Sequence, residues 1–275
     1  MDEISIKGLK LFSYHGVLEK EKKNGQLFLV DITIFTSTRT AGKYDKLDET
    51  VNYGVVSKYV KEVFRSEYFN LIEAAAENLA YKLLTSFDKI REVEVTVHKP
   101  DAPIDVGFDD VSVTIRRGWH TAYIAVGSNM GDSAAIIERG YRKLFSDNDM
   151  RILRKSSYIV TAPYGFTDQP SFLNGLWKAE TLLSPEELLD RLHEVERSEH
   201  RERKVHWGPR TLDLDIIYYD DVIADSAALR IPHEDMQNRE FVLRPLMEVD
   251  PYVRHPINRM TAEEMLQKLS EKTPE

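Results

Sequence analysis

The stretch 203-RKVHWGPRTLDLDII-217 places cations and an indole ahead of a Gly-Pro turn, then enters a strand with two aspartates among aliphatics. Side chains alternate along a strand, so Asp213 and Asp215 share one face. Leu212, Leu214 and Ile216 share the other, which reads as the core face. Two carboxylates side by side repel unless cations sit between them. Hard oxygen ligands at this spacing suit Mg²⁺, which takes one or two carboxylates together with substrate phosphates. Arg201, Arg203, Lys204 and Arg210, just upstream, are the cations that a triphosphate needs. Most isolated D-x-D pairs are edge strands with a solvated acidic face. That reading leaves the basic, Trp-containing, Gly-Pro-punctuated approach unexplained.

The pattern continues outward in both directions. Upstream, 121-TAYIAVGS-128 reads as a strand leading to a helix over 133–145. Strands are expected near 151–161 and 173–181. Ser184-Pro185-Glu186-Glu187 opens the next helix with a cap, a first-turn proline and acidic residues at the positive end. The order β-α-β-β-α-β reads as a ferredoxin-like α/β sandwich with C-terminal additions. Nearer the N-terminus, residues 3–13 and 27–38 alternate as strands, with Phe28, Val30, Ile32 and Ile34 as the aliphatic face of the second. The polar run 18-LEKEKKNGQ-26 between them reaches an Asn-Gly turn. Helical spacing follows in Val55, Val56, Tyr59, Val60, Val63 and Phe64, and in Leu71, Ala75, Leu79, Leu83 and Leu84. Strands over 90–99 and 109–117 complete a ββααββ order. The expected class is α+β, with a boundary near Trp119 separating residues 1–119 from 120–275. Long half-covered strands in the first unit predict assembly through its edges.

The chain has 275 residues, a formal charge of −9 and no cysteine. Residues 1–119 hold 17 Lys+Arg and 19 Asp+Glu, and the remainder 20 and 27, so the basic cluster at 201–210 stands in an acidic background. That balance argues against nucleic-acid partners. Zero cysteines exclude disulfides and thiolate chemistry. No apolar run approaches the roughly 18 residues of a membrane span, and MDEISIKGLK does not read as a signal peptide. A cytoplasmic protein is the expectation.

The run WGPRTLDLDI resembles the signature of the 6-hydroxymethyl-7,8-dihydropterin pyrophosphokinase family. The resemblance extends through 123-YIAVGSNMGD-132, 168-DQPSFLN-174 and 232-PHEDMQNREFVLRPLMEV-249. The first 119 residues resemble the dihydroneopterin aldolase family, a ring-forming tunnelling fold, through 13-SYHGVLEKEKKNGQ-26, 50-TVNYG-54, 70-NLIEAAAENLA-80 and 97-VHKPDAPI-104. Together they imply a bifunctional enzyme of folate synthesis, acting on pterins and ATP and assembled as a homo-oligomer.

For the C-terminal half, pyrophosphoryl transfer from ATP is mostly positioning and charge neutralisation. Asp213 and Asp215 are the expected ligands of two Mg²⁺ ions. The resemblance adds Glu196, Trp207, His233 and Arg239 to Arg201, Arg203, Lys204 and Arg210 at the nucleotide, with Arg201 and Arg210 also in catalytic roles. It assigns Thr161, Phe172, Asn174 and Phe241 to the pterin. A flat heterocycle suits two aromatic faces, and Asn174 offers both donor and acceptor. A Glu on a helix such as Glu196 is usually solvated. Three features depart from the family pattern: a loop before Trp207 shorter by one residue, His206 where an arginine is common, and Phe172 in place of a tyrosine.

For the N-terminal half, the resemblance implies retro-aldol cleavage without metal or Schiff base. Glu73, beside Ile72, matches the pterin anchor, since a carboxylate can accept two parallel N–H bonds. Lys99 matches the general acid–base, and Glu21 and Tyr53 match the groups that hold side-chain hydroxyls and relay protons. Read alone, Glu21 belongs to a solvated charge run, and His98 is a structural strand residue. In the family, each site lies between two subunits. Two other readings compete: a pyrophosphokinase whose first half is only an assembly scaffold, and a nucleotide- or RNA-binding module without chemistry. The acidic balance and the paired aspartates disfavour the last.

Overall fold

Phe28, Val30, Ile32 and Ile34 alternate along one strand, β2 (Gln26–Thr36), and all four are fully buried. This computed structural model describes residues 1–163, 168–199 and 210–272. The chain divides into two units, Met1–Trp119 and His120–Glu275. In the first, β1 (Asp2–Ser13), β2, β3 (Glu92–His98) and β4 (Ser112–Gly118) form an antiparallel sheet in chain order. Between β2 and β3 run α2 (Arg39–Tyr44), α3 (Tyr53–Ser66) and α4 (Ile72–Ser86). α3 packs on β1, and α4 on β3 and β4. Ala75, Ala76 and Ala80 are buried on α4, where small side chains let the helix lie close to the strands.

The run 18–26 is more than a turn. It contains a short helix, α1 (Glu19–Asn24), whose Glu21 side chain folds back to accept the Leu18 N–H at 2.9 Å. Gly25, at φ 65°, ends it in a conformation that glycine tolerates best.

The second unit carries β5 (His120–Ser128), α5 (Ser133–Leu144), β6 (Met150–Lys155), β7 (Ile159–Thr161), β8 (Phe172–Thr181), α6 (Pro185–Ser198) and β9 (Asp213–Tyr219). Its sheet order is β6-β8-β5-β9, antiparallel throughout, with β7 also on β8. The single strand expected over 151–161 is thus two. The break falls at Ser156 and Ser157, whose hydroxyls take partners from β8 and the later helix over 240–249 that compete with a continuous ladder. Ser156 Oγ accepts the Leu176 N–H at 2.9 Å, and Ser157 donates to Glu248 from both its N–H and its hydroxyl.

Both faces of this sheet are covered. Ile124, Trp177, Leu214 and Ile216 pack with Leu188 and Leu192 of α6. Tyr123, Leu176, Ile217 and Tyr218 pack with Leu243 and Leu246 of α7 (Glu240–Val249), while α8 (Ala262–Lys272) adds Ala262 and Met265. Before α7, β10 (Ala224–Asp225) and β11 (Arg230–Ile231) form a small ribbon. The class is α+β, as expected. No helix among the described residues is long and apolar enough to cross a membrane.

Candidate functional site

In the second unit, three neighbouring strands bring polar groups to one level of the sheet. Gly127 of β5 lies opposite Asn174 of β8 on one side and Asp213 of β9 on the other. Two residues back, Ala125 pairs with both Leu176 and Asp215. A cavity opens here, lined by Gly127, Thr161, Gln169, Phe172, Asn174, Arg210, Asp213, Asp215, Arg239 and Phe241. Thr161, Phe172, Asn174, Arg210, Arg239, Phe241 and both aspartates of the sequence reading therefore converge. The aspartate face is a cavity wall beneath α7, where an isolated D-x-D pair would have had a solvated acidic edge.

Asn174 is buried and donates from Nδ2 to Thr161 Oγ1 at 2.7 Å. Its Oδ1 lies over Gly127, where a Cβ would come within 2.8 Å. Glycine at 127 is thus what lets the carboxamide lie against β5. Asn129, which sequence reasoning passed over, is 4% exposed and ties two loops together. Its Oδ1 accepts the Arg210 N–H at 2.8 Å, and its Nδ2 donates to Gln169 Oε1 and Pro170 O at 3.0 and 3.1 Å. The only sequence signal was its place inside the 123–132 motif.

Burial raises the Asp215 carboxyl above the ordinary carboxylate range. The charge of Asp213 adds to the rise, and Arg239 and Arg210 oppose it. Arg210 forms an ion pair with Asp213. Two desolvated carboxylates facing one cavity fit a divalent cation, which would relieve their repulsion. Among the described residues no group of three or more His, Asp or Glu side chains is placed to hold a metal ion. A cation held by these two carboxylates would draw its remaining ligands from water and substrate oxygens, as Mg²⁺ does.

Glu196 is 2% exposed, unlike the solvated helix Glu that its position on α6 suggested. Its carboxylate accepts the Leu214 N–H at 2.8 Å, between the two aspartates, on the open edge of β9. His233 is half-buried, and burial followed by the charge of Arg239 lowers it to about 4. Its Nδ1 accepts the Asp235 N–H at 3.2 Å, so at neutral pH it offers an uncharged Nε2–H donor. Arg239 is held by Asp235 at 3.0 Å. Arg201, Arg203, Lys204, His206 and Trp207 lie outside the described residues.

In the first unit, Glu21 and Lys99 meet. The Lys99 Nζ is 2.5 Å from Glu21 Oε1, with side-chain exposures of 12% and 7%. Glu21 also accepts from Gln26 Nε2 at 3.1 Å. Burial pushes Glu21 up, but Lys99, the Leu18 N–H and Gln26 outweigh it and hold the carboxyl below its usual range. This buried pair replaces the solvated charge run that the sequence suggested. Lys99 leaves β3 with its N–H on Val111 O at 2.7 Å. Its neighbour His98 lies between Asp110 at 2.5 Å and Asp31 at 3.7 Å, within a carboxylate cluster that the strand reading did not anticipate. Ile72 is buried at the start of α4, while Glu73 is exposed. Tyr53, the first residue of α3, is 66% exposed behind the Asn52 cap.

Comparison with known proteins gives two family matches. Residues 4–116 match the model described as dihydroneopterin aldolase, and residues 123–251 the one described as 7,8-dihydro-6-hydroxymethylpterin-pyrophosphokinase. The dihydroneopterin aldolase of Streptomyces coelicolor is 50% identical over 117 residues, 42% of this chain and 98% of that protein. The 2-amino-4-hydroxy-6-hydroxymethyldihydropteridine pyrophosphokinase of Aquifex aeolicus is 37% identical over 144 residues, 52% of this chain and 89% of its own. The folic acid synthesis protein fol1 of Schizosaccharomyces pombe is 30% identical over 283 residues, 98% of this chain but 37% of its own length. The chain thus spans less than half of the curated relatives that it matches from end to end.

Proposed function

Because the chain belongs to the dihydroneopterin aldolase family through residues 4–116 and to the 7,8-dihydro-6-hydroxymethylpterin-pyrophosphokinase family through residues 123–251, we propose that it runs two consecutive reactions. Residues 1–119 cleave 7,8-dihydroneopterin to glycolaldehyde and 6-hydroxymethyl-7,8-dihydropterin. Residues 120–275 transfer pyrophosphate from ATP to the hydroxyl of that product and release AMP. The observation that carries the second activity is the cavity in which two aspartates, two phenylalanines and Asn174 meet.

In the transfer site, Phe172 and Phe241 sandwich the pterin, and Asn174, braced by Thr161 and by Gly127, reads its polar edge. Asp213 and Asp215 would hold Mg²⁺, two ions in the family's manner, which would supply charge neutralisation at the phosphates and acidify the acceptor hydroxyl. Arg210 and Arg239 neutralise developing negative charge, and His233 donates a hydrogen bond without charge. Arg201, Arg203 and Lys204, with Trp207, complete the nucleotide side of the proposal. Glu196 acts from behind β9, holding the strand between its aspartates. The strand order and the β-α-β-β-α-β connection support the ferredoxin-like description of this unit.

In the cleavage site, Glu73 receives the ring N–H groups while the dihydropterin ring accepts the electrons of the breaking carbon–carbon bond. Lys99 exchanges the proton through water, paired with Glu21. Tyr53 reaches the site of a second copy, which makes a homo-oligomer a condition of activity. The element order and sheet of residues 1–119 support the ring-forming tunnelling fold.

The test is a product assay with 7,8-dihydroneopterin, ATP and Mg²⁺, following glycolaldehyde and AMP separately. Both should appear, and omitting Mg²⁺ should remove AMP alone. AMP only when the hydroxymethyl pterin is supplied would reduce residues 1–119 to a scaffold. Neither product from a folded protein would overturn the assignment.

A further inference from the structure

His15 is fully buried, yet the aldolase reading gives it no part. Its ring sits among aromatic side chains: edge-on to Phe64 at 4.5 Å and to Phe28 at 5.4 Å, and stacked on Phe69 at 5.7 Å. A phenylalanine would fill such a place as well. What a phenylalanine lacks is Nδ1, which accepts the Phe69 N–H at 3.1 Å. Gly16 completes the junction by donating its own N–H to Phe69 O at 2.9 Å. Phe69 stands outside any helix or strand, and α4 begins three residues later with Ile72 and Glu73.

Gly16 serves a second purpose. Its φ is 148°, and a Cβ there would lie 2.4 Å from Glu21 Oε2 and 2.7 Å from Oε1. The missing side chain makes room for the carboxylate that pairs with Lys99. Two adjacent residues therefore touch both halves of the proposed cleavage site: the His15–Gly16 backbone and ring grip the lead-in to Glu73, and Gly16 accommodates Glu21.

We propose that His15 and Gly16 are positioning residues of the aldolase site, holding the start of α4, and with it Glu73, in register with the Glu21–Lys99 pair. This rests on the aldolase reading of residues 1–119. The arrangement requires a neutral imidazole with its proton on Nε2, because Nδ1 is the acceptor. Burial keeps the ring neutral by lowering it to about 4.

Two amide variants separate positioning from core filling. In His15→Asn the side-chain oxygen can occupy the place of Nδ1, whereas in His15→Gln it lies one bond further out. The KM for 7,8-dihydroneopterin should rise about tenfold or more in His15→Gln and stay within about threefold of the parent in His15→Asn. AMP formation from supplied hydroxymethyl pterin by the same preparations controls for the amount of chain, and the near-UV circular dichroism of His15's aromatic neighbours for the folding of residues 1–119. Equal rises in the two variants, or none in His15→Gln, would overturn the proposal. Calorimetric binding of neopterin reads the same geometry without turnover. A parent chain that cleaves nothing would thus count against the aldolase assignment while the pair of variants still decides this one. If neither variant folds, ¹⁵N NMR of the parent protein decides: the Nε2–H tautomer at neutral pH supports the proposal, and an Nδ1–H tautomer or an imidazolium overturns it.

Discussion

The second unit gathers its candidate site on three adjacent strands and closes it with α7, so phenylalanines, carboxamide, carboxylates and arginines all line one cavity. The first unit brings only Glu21 and Lys99 together and leaves Tyr53 and Glu73 exposed. The electrostatics differ in the same way. Glu21 is neutralised by its own lysine and held below its normal range. Asp215 is pushed up by burial and by Asp213, and two arginines offset that only partly. A buried like-charge pair is costly unless a counter-charge arrives, which is what the proposed Mg²⁺ would supply. The Glu21–Lys99 pair is already neutralised within its own chain, which suits the proton exchange proposed for it. The comparison fits the proposal that the second unit's site is built within one chain whereas the first unit's site needs a second copy.

The sharpest break of that contrast is to remove the carboxylate that invites the metal. Asp213→Asn should lower AMP formation by about a thousandfold or more, since charge stabilisation at the phosphates is the main contribution. Glycolaldehyde release should be unchanged. A parallel loss in both activities would mean that the units are not independent. Glu21→Gln is expected to do less, slowing glycolaldehyde release by about a hundredfold, the range of one acid–base contact, while AMP formation continues. An aldolase indifferent to this change would leave the buried ion pair with only a structural role.

The difference between a complete and a shared site has a direct test in mixed oligomers. Lys99→Ala and Tyr53→Ala chains should each be nearly inactive in cleavage. Co-refolded one to one, they should recover about a quarter of the parent activity, because random pairing leaves that share of sites intact when each draws on two copies. No recovery would place Tyr53 and Lys99 of one chain in the same site. The corresponding mixture of Asp213→Asn and Asn174→Ala chains should recover no AMP formation.

Much of this architecture was legible in period and punctuation. The alternation of Phe28, Val30, Ile32 and Ile34 fixed the face of β2, and Ser184-Pro185 with Glu187 marked the start of α6, where Ser184 Oγ accepts the Glu187 N–H at 3.2 Å. The aspartate pair was legible because a strand separates odd from even residues. What escaped depends on long-range partners. Glu196 looks like a surface residue until β9 brings the Leu214 N–H to it across 18 positions. Glu21 looks like one charge in a solvated run until Lys99 arrives from 78 residues away. Asn129 and His15 are polar residues whose roles are set by the loops they join, and no local pattern announces that. The split between β6 and β7 was missed because the serines at 156 and 157 take partners from β8 and α7 that a strand pattern does not contain.

The smallest expected effect concerns the glycines that make room for a side-chain oxygen in each unit, Gly16 beside Glu21 and Gly127 beside Asn174. They differ in backbone: Gly16 has a positive φ, which disfavours any side chain, whereas Gly127 lies in a regular strand. An alanine at 127 therefore meets only the contact at 2.8 Å with Asn174 Oδ1, its other neighbours standing at 3.9 Å. The carboxamide can move a few tenths of an ångström, but its bond to Thr161 resists rotation. Gly127→Ala should lower stability by only about 1 kcal/mol, the low end for an overpacked site. The pterin should feel the shift more than the nucleotide does. Its KM in AMP formation should rise about fivefold, the equivalent of about 1 kcal/mol, with the KM for ATP and the maximal rate nearly unchanged. An unchanged pterin KM would mean that Asn174 is not what orients the ring. An equal rise for ATP would mean that the strand carrying Asp213 has moved with it.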